Sequence, residues 1–381
     1  MHTIYIISII LISIGITLFL LSFIFEYTRK QNLKKRAIDE YAIIIPARNE
    51  SKVIKNLLDS IKLQNPNMNN VYVIVEDKKD ETVKIVKEYG GNIYVRKNIE
   101  NRRRKGYALD ECLKNILKKK HYDLYFIMDA DNILGKNFIN EMLKTYKKGY
   151  DIATRYRNIK NSSNIISSCS GLTFSFMNTL FNEYNNHMHK SMIISGTGFY
   201  ISGELVEKLN GYPFHSLTED YELTLYSTLN NLTTTYNEKA IFYDEQPDSF
   251  KVSMKQRTRW VKGYFEARKI YIKEIRRSLD YKDKNYGSKI STVIGVQPLI
   301  YLLIGVLLLI VSSLTINDIT AFIKTLVVVL LLIYLELAGI TYIIIKSEKN
   351  KLNLNVSKTK LTLYNPLFLL SYILCLMISI F

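Results

Sequence analysis

Four long apolar runs, one at the start and three near the end, limit how this chain of 381 residues can fold. Residues 3–25 contain no charged side chain, and the later runs lie at about 290–314, 325–345 and 361–381. A helix needs about 20 apolar residues to cross a bilayer. The sequence therefore predicts four transmembrane helices around a charged middle segment.

Basic residues beside these runs predict their orientation, because Lys and Arg collect on the cytoplasmic side of a membrane. Five of them follow the first run within residues 29–36, and the loop 346–360 holds five lysines. The loop 315–324 holds a single lysine. We predict a multi-pass protein of the cell membrane, with its middle segment in the cytoplasm and both ends, the N-terminus included, outside.

The net charge of +17 raises the question of nucleic-acid binding. No run of lysines and aromatic residues forms a recognisable nucleic-acid module. Much of the positive charge lies beside the apolar runs or within residues 251–277, which indicates an anionic membrane surface and an anionic small substrate. We therefore expect membrane lipids, and no nucleic acid, among the partners. The three cysteines lack CxxC spacing, as expected in a reducing cytoplasm.

The middle segment alternates short apolar runs with stretches of helical pattern. The predicted strands are 41–46, 71–75, 92–95 and 125–128, and the predicted helices are about 51–63, 82–89 and 105–119. Short continuous apolar runs closed by charged or turn residues are typical of buried parallel strands. This alternation predicts an α/β domain with a parallel sheet and helices on both faces.

Acidic residues end two of the predicted strands, with Glu76 and Asp77 after one and Asp129 and Asp131 after another. Ligands bind at such edges of open α/β sheets. Mg²⁺ is held by one or two carboxylates plus substrate phosphates, and the basic loop 102–105 suits phosphate. We interpret this edge as a metal and diphosphate site. The alternative is that the acids only form turns and the loop is merely solvated.

Three later stretches are each ambiguous alone. Ser195–Ser202 contains two glycines, which either let the backbone approach a ligand closely or form a simple turn. Thr218-Glu219-Asp220 fits the capped start of a helix. Residues 250–277 have apolar residues at helical spacing between basic ones, which predicts an amphipathic helix in the membrane interface. It carries Gln256-Arg257-Thr258-Arg259-Trp260, whose Trp could serve only as a membrane anchor.

The acidic motif 129–131, the motif 218–220 and the motif 256–260 occur in this order between membrane spans. The ordered set resembles the processive, inverting membrane glycosyltransferases of the GT-A fold, namely cellulose, hyaluronan and poly-N-acetylglucosamine synthases. The resemblance covers about Tyr41 to Phe265. It implies an N-terminal transmembrane helix (1–28), a cytoplasmic GT-A, Rossmann-like glycosyltransferase domain (37–249), interfacial amphipathic helices (250–288) and three C-terminal transmembrane helices (289–381).

The resemblance also implies roles for individual residues. Asp129 and Asp131 would hold Mg²⁺ or Mn²⁺ on the diphosphate of a UDP-sugar, and Asp220 would be the general base. The other implied contacts are Ala47, Glu50, Glu76, Asp77, Lys105 and Asp129 with the nucleotide, and Glu219, Gln256, Arg259 and Trp260 with the diphosphate and the acceptor. The chemistry agrees, because the leaving diphosphate gains negative charge and the attacking hydroxyl must lose a proton.

Two features depart from the family pattern. Related enzymes usually begin the second acidic motif with paired aspartates and a glycine, whereas this chain has Glu76-Asp77-Lys78. Four spans are also few for a polymer-conducting pore. Either a homo-oligomer, an export partner or the interfacial helices complete the pore, or there is none.

We predict a UDP-sugar-dependent hexosyltransferase that extends a β-linked polysaccharide and is coupled to export of the polymer. One alternative is the transfer of a single sugar to a membrane lipid, as in ceramide glucosyltransferase-like enzymes. Another is a non-catalytic basic membrane protein that binds anionic lipid or nucleic acid.

Overall fold

The computed structural model describes residues 2–24, 33–65, 67–97, 99–100, 102–280, 282–283, 285–295, 297–314, 319–348 and 351–380. The strands are β1 Tyr41–Pro46, β2 Val71–Val75, β3 Asn92–Val95, β4 Leu124–Ile127, β5 Ile133–Leu134, β6 Ile152–Ile159, β7 Phe199–Ser202 and β8 Thr234–Asp244. The α-helices are α1 His2–Ile24, α2 Ile54–Lys62, α3 Glu81–Glu88, α4 Lys105–Leu117, α5 Phe138–Lys147, α6 Ile165–Phe176, α7 Tyr184–His187, α8 Gly203–Lys208, α9 Glu219–Leu229, α10 Phe250–Ile270, α11 Ile272–Arg277, α12 Tyr286–Ile294, α13 Gln297–Leu314, α14 Ile319–Ser347 and α15 Lys358–Ile380. A 3-10 turn, Met68–Asn70, precedes β2, and a π-helix, Met177–Glu183, follows α6.

The first four strands form the predicted parallel half of one eight-stranded sheet, in the order β3-β2-β1-β4. Alternate residues of a strand point to opposite faces. Ile43 and Ile45 accordingly pack with α2, α3 and α5, while Ala42 and Ile44 pack with α4, α8 and α9. Both faces are covered, which explains why these strands read as continuous apolar runs.

The other half of the sheet is mixed, so the prediction of a parallel sheet holds for only part of it. β7 pairs antiparallel with both β4 and β6, β8 pairs parallel with β6, and β5 pairs antiparallel with β8. β6 was not predicted because it carries Arg155 and Arg157 inside an otherwise buried strand. The positive charges of these two arginines are stabilised by partners that are distant in sequence.

Three helix ends differ from the expected ones. α2 begins at Ile54, three residues after the predicted start, and has no side-chain cap; Asn49, which precedes it, adopts a left-handed conformation (φ +58°). Thr218 precedes α9, but its hydroxyl does not cap the helix and has no hydrogen-bond partner among the described residues. The amphipathic helix of residues 250–277 is divided at Tyr271 into α10 and α11.

Two helices of the described chain are long and apolar enough to cross a membrane, at Phe322–Ser347 within α14 and at Lys358–Ser379 within α15. The first two predicted spans contribute shorter apolar segments, Ile4–Leu18 and Ile300–Ser312. Gly295 (φ +54°) separates α12 from α13 and so interrupts the second predicted span. Length and composition therefore support two spans rather than the four predicted.

Candidate active site

The acidic motif after β4 is fixed by a network of hydrogen bonds. The backbone N–H of Asp129 donates to Thr197 Oγ1 (2.7 Å) and to Asn132 Oδ1 (3.1 Å). Its Oδ1 accepts from Lys105 Nζ at 2.5 Å. Thr197 Oγ1 in turn donates to Asn132 Oδ1 (2.6 Å). Asp129 is thus held at the sheet edge from two sides.

Asn132, which has no predicted role, is fully buried and connects Asp131 after β4 with Asp244 at the end of β8. Its Nδ2 donates to Asp131 Oδ1 (3.2 Å) and to Asp244 Oδ1 (2.7 Å). Burial raises the pKa of Asp131 to about 7, and the neighbouring Asp244 and Asp129 add to this shift, while Arg157 opposes it. The local surplus of negative charge that raises the pKa also favours a bound cation.

The described residues contain no cluster of three or more His, Cys, Asp or Glu side chains that could hold a metal alone. Asp129 and Asp131 still fit the chemistry of Mg²⁺ or Mn²⁺, because such ions in phosphate sites take one or two carboxylates and complete their ligands with substrate and water. Asp244 is occupied by Arg157, whose Nε lies 3.0 Å from Oδ2.

Lys105 lies between the two acidic motifs. Its Nζ donates to Gly196 O (2.6 Å) as well as to Asp129, and lies 3.8 Å from Glu219 Oε1. Burial acts to lower the pKa of Lys105, but Asp129 and Glu219 outweigh it, and the pKa is raised. Burial also raises the pKa of Glu219 to about 7, although Lys105 opposes that shift. A charged lysine therefore bridges the motifs that contain Asp129 and Asp220.

Asp220 lies in the first turn of α9, where its two carboxylate oxygens accept backbone N–H groups. The donors are Gly196, to Oδ2, and Tyr221, to Oδ1 at 2.8 Å. Gly196 has φ +54°, a conformation that favours glycine. At this glycine the backbone therefore approaches the carboxylate of Asp220 closely.

A buried arginine that sequence analysis missed supports the glycine loop. Arg155 Nη2 donates to Ser195 O (2.9 Å), Nη1 donates to Ser195 Oγ (3.1 Å), and the guanidinium lies 4.5 Å from the ring centroid of Phe242. Burial lowers the pKa of Arg155 to about 9. A Cβ at Gly198 would meet Arg155 Nε at 2.6 Å, so a side chain there would displace the arginine.

The predicted nucleotide contacts lie along the ends of β1 and β2. Ala47 is buried, and its N–H donates to Ile74 O (2.8 Å). Glu76 pairs with Arg48 (3.2 Å) and Arg96 (3.8 Å). Asp77 is exposed, and its Oδ1 accepts the N–H of Lys79 at 2.9 Å.

Glu50 is coupled electrostatically to the acidic motif, although it follows a different strand. Burial raises its pKa, and the charges of Asp129, Glu245 and Asp80 raise it further. Carboxylates from two strand ends therefore share one negative region at this edge of the sheet.

The motif on α10 reaches the acidic edge through an aromatic ring. Trp260 packs edge-to-face on Phe174, with centroids 5.8 Å apart. The guanidinium of Arg157, the partner of Asp244, lies 3.4 Å from the centroid of the same Phe174 ring. A series of contacts through Phe174, Arg157 and Asp244 therefore connects Trp260 with Asn132, beside the acidic motif.

The other motif residues differ in their surroundings. Arg259 is exposed, and Gln256 Oε1 is buried without a hydrogen-bond partner among the described residues. Arg257, to which no role was assigned, is 1% exposed and contacts α15.

Comparison with known proteins decides the family. The profile of the family described as glycosyltransferase like family 2 matches residues 39–263. The chain belongs to this family. The prediction of a glycosyltransferase is therefore confirmed.

Two curated relatives match a similar region. A probable glycosyltransferase, YdaM of Bacillus subtilis strain 168, is 25% identical over 240 residues, which cover 61% of this chain and 57% of the relative. The poly-β-1,6-N-acetyl-D-glucosamine synthase of Staphylococcus epidermidis is 21% identical over 234 residues, covering 60% and 56%. The chain thus spans just over half the length of these relatives.

Among solved structures, the mannosyltransferase PcManGT from Pyrobaculum calidifontis, in complex with GDP-Man and Mn²⁺, is similar over almost the whole chain. The TM-score is 0.62 at 15% identity, and the alignment covers 98% of this chain and 99% of that one. At this identity the likeness shows the fold, which confirms the predicted GT-A, Rossmann-like architecture.

Proposed function

We propose that this family 2 enzyme transfers a sugar from a UDP-sugar to an acceptor hydroxyl at the membrane and extends a β-linked polysaccharide. The observation that carries the proposal is the bridge formed by Lys105. Its ammonium group donates to Asp129 and to the carbonyl of Gly196, and the N–H of Gly196 donates to Asp220. The proposed metal-site acid and the proposed base are thereby connected through one lysine. The polymer product is supported by the likeness to the poly-β-1,6-N-acetyl-D-glucosamine synthase.

Asp220 is the proposed general base. As the acceptor oxygen bonds to the anomeric carbon, its proton passes to a free lone pair of the Asp220 carboxylate, and the electron pair of the breaking bond leaves with UDP. The N–H groups of Gly196 and Tyr221 keep this carboxylate in one orientation. Attack from the side opposite UDP gives the inverted, β-linked product.

The leaving diphosphate would be stabilised on the other side of the pocket. Asp129 and Asp131 would hold Mg²⁺ or Mn²⁺, which supplies positive charge to the departing oxygen. Arg259 is exposed and free to turn its guanidinium to the phosphates. Gln256 Oε1 is buried without a hydrogen-bond partner among the described residues and would accept a hydroxyl of the acceptor sugar. The half-buried Trp260 would offer its indole to a pyranose.

Asp77 is the better candidate for the uracil contact. Glu76 already forms ion pairs with Arg48 and Arg96, whereas the carboxylate of Asp77 is exposed beside the same strand end. A free carboxylate oxygen accepts a base N–H without breaking an ion pair. Ala47, Glu50 and Lys105 would complete the nucleotide side of the pocket.

We also propose a location at the cell membrane with the catalytic domain in the cytoplasm and the N-terminus outside. α1 packs tightly on α13, since a Cβ at Gly305 would meet Ile12 at 2.7 Å, and α13 contacts α14. These three helices form the proposed membrane bundle. Close approach at small residues is typical of helix pairs in membranes.

The proposal is tested by incubating the purified full-length chain with labelled UDP-glucose, UDP-N-acetylglucosamine or GDP-mannose, in Mg²⁺ or Mn²⁺, with Asp220→Asn as the inactive control. A ladder of long products from a UDP-sugar is expected. A single lipid-extractable product would identify the lipid-transfer alternative. Transfer only from GDP-mannose would reject the proposed UDP-sugar donor. Equal transfer by the wild-type chain and Asp220→Asn would reject Asp220 as the base.

A further inference from the structure

By length and composition α15 resembles a spanning helix, yet its contacts tie it to the catalytic domain. Arg257 of α10 is buried against it, with Nη1 donating to Phe368 O (3.0 Å) and to Ser371 Oγ (2.7 Å). The guanidinium also lies 4.0 Å from the ring centroid of Phe368 and 4.8 Å from that of Tyr372. The middle of α15 is therefore clamped on α10.

Contacts with the catalytic domain continue toward both ends of α15. Leu361 and Phe368 pack in one cluster with Cys169 and Leu172 of α6. Toward the other end, Cys375 Sγ lies 3.7 Å from Met254 Sδ. Nearer still to that end, Ser379 Oγ donates to the carbonyl of Thr258 (3.4 Å).

These contacts conflict with a spanning orientation. Leu361 and Ser379 are 18 residues apart, or about 27 Å along a helix, which is close to the full thickness of the hydrocarbon core. If Leu361 lay at the cytoplasmic surface of a spanning helix, Ser379 would lie near the outer surface. α10, which touches Ser379, would have to follow it there.

α10 cannot follow α15 across the bilayer. It carries five basic side chains within three turns, namely Lys251, Lys255, Arg257, Arg259 and Lys262. Each such charge would cost roughly 3 kcal/mol at the bilayer centre. α10 also packs closely on the domain at Gly263, where an added Cβ would lie 2.5 Å from the Oγ1 of Thr218, near Asp220. α10, which contacts α15 between Phe368 and Ser379, is therefore fixed at the level of the active site.

One face of α15 remains uncovered, and that face is apolar. Its exposed residues, each at least 51% exposed, are Leu363, Tyr364, Leu367, Leu374, Met377 and Ile378. The opposite face is buried against α6, α10 and α14. Phe250 and Val252 of α10 are exposed as well, beside the exposed Lys251 and Lys255. Exposed apolar faces next to lysines fit the headgroup and acyl boundary of an anionic bilayer.

We propose that α10 and α15 lie side by side in the plane of the cytoplasmic leaflet and form a membrane-docking surface next to the active site. The C-terminal end of α15 then stays on the cytoplasmic side, which replaces the predicted fourth span and external C-terminus. Docking holds Arg259 and Trp260 at the lipid surface, where a membrane-bound acceptor would be presented. The orientation of α15 does not depend on which sugar is transferred.

Reporter fusions test on which side α15 ends. The full chain carries green fluorescent protein or alkaline phosphatase after Phe381, and a matched control carries the phosphatase inserted in the loop after Leu314. The expected result is a fluorescent C-terminal fusion, an inactive C-terminal phosphatase and an active control. An active phosphatase at the C-terminus would overturn the proposal.

Depth measurements test the docking surface itself and leave the chain ends unchanged. Single cysteines replace Leu363, Leu367, Leu374 or Ile378 in a chain without its three native cysteines, and each is spin-labelled in vesicles containing anionic lipid. All four labels are expected at one shallow depth. Labels that pass through the bilayer centre would show a spanning helix, and labels exposed to water would show that the face binds no lipid.

Discussion

The acidic edge of the sheet and the Gln256–Trp260 motif of α10 are held in different ways. At the edge, Asp129 and Asn132 take part in several hydrogen bonds that are buried or partly buried, and Lys105 adds an ion pair. On α10, Trp260 packs edge-to-face on Phe174, Arg259 is exposed, and Gln256 Oε1 has no hydrogen-bond partner among the described residues. The difference indicates that the proposed donor side is formed before binding, whereas the proposed acceptor side would be completed by its ligand.

The largest expected effect comes from Asp220, the proposed base, which lies between the two regions. Asp220→Asn keeps the shape of the side chain but removes its ability to take a proton. Sugar transfer should fall by about 10²–10⁴-fold, the usual contribution of a general base. UDP affinity, measured by calorimetry, should change little, because Asp220 is not assigned to the nucleotide. A variant with the wild-type rate contradicts the assignment.

On the donor side, Asn132→Ala should weaken both activity and folding. The change removes the acceptor of the Thr197 hydroxyl, one of the two acceptors of Asp129 N–H and one of the donors to Asp244. Unmet hydrogen bonds in a buried network cost about 1–3 kcal/mol, so a loss of about 3 kcal/mol in unfolding free energy is expected. Denaturant unfolding measures it. The control Asn230→Ala, at an exposed helix end, should change stability by less than about 0.5 kcal/mol.

On the acceptor side, Trp260→Ala should affect acceptor use more than stability. The lost edge-to-face contact with Phe174 is worth about 0.5–1.5 kcal/mol of folding. The KM for the acceptor should rise, while Trp260→Phe, which keeps a ring, should recover most of the affinity. An unchanged acceptor KM in both variants would mean that Trp260 only anchors α10.

Gln256→Ala should give the smallest change in stability. Its Oε1 has no partner among the described residues, so removing it costs no hydrogen bond within them. The unfolding midpoint should stay the same or rise slightly, and only the acceptor KM should increase. Lys262→Ala, at an exposed position of the same helix, is the control. Neither its unfolding midpoint nor its acceptor KM should change. A clear loss of stability in Gln256→Ala would show that the acceptor side is as rigid as the donor side.

The sequence predicted the parallel half of the sheet because strands buried on both faces are continuous apolar runs, as at 41–46 and 71–75. It could not predict β6, since a strand with two arginines is compatible with burial only when the partners of those arginines are known. Arg155 is compensated by Ser195 and Phe242, and Arg157 by Asp244 and Phe174. Those partners come from distant parts of the chain.

The site was predicted in the same uneven way. Asp129, Asp131 and Asp220 stood out because their spacing repeats a known motif order. Asn132 and Asp244 gave no such signal, as their importance lies in burial and in bonds to each other. Hydropathy predicted a span at 361–381, and the helix Lys358–Ser379 is long and apolar enough for one, but a composition window cannot register that Arg257 is buried against this helix.

The central claim is that the acid at the sheet edge and the base on α9 act in one pocket, joined by Lys105. A double-mutant cycle with Asp129→Asn and Asp220→Asn, measured as kcat/KM for sugar transfer, tests it most directly. Residues that act as a unit are non-additive. The double variant should therefore lose clearly less than the product of the two single losses. A loss equal to that product would show that the two carboxylates act independently, and would contradict the account.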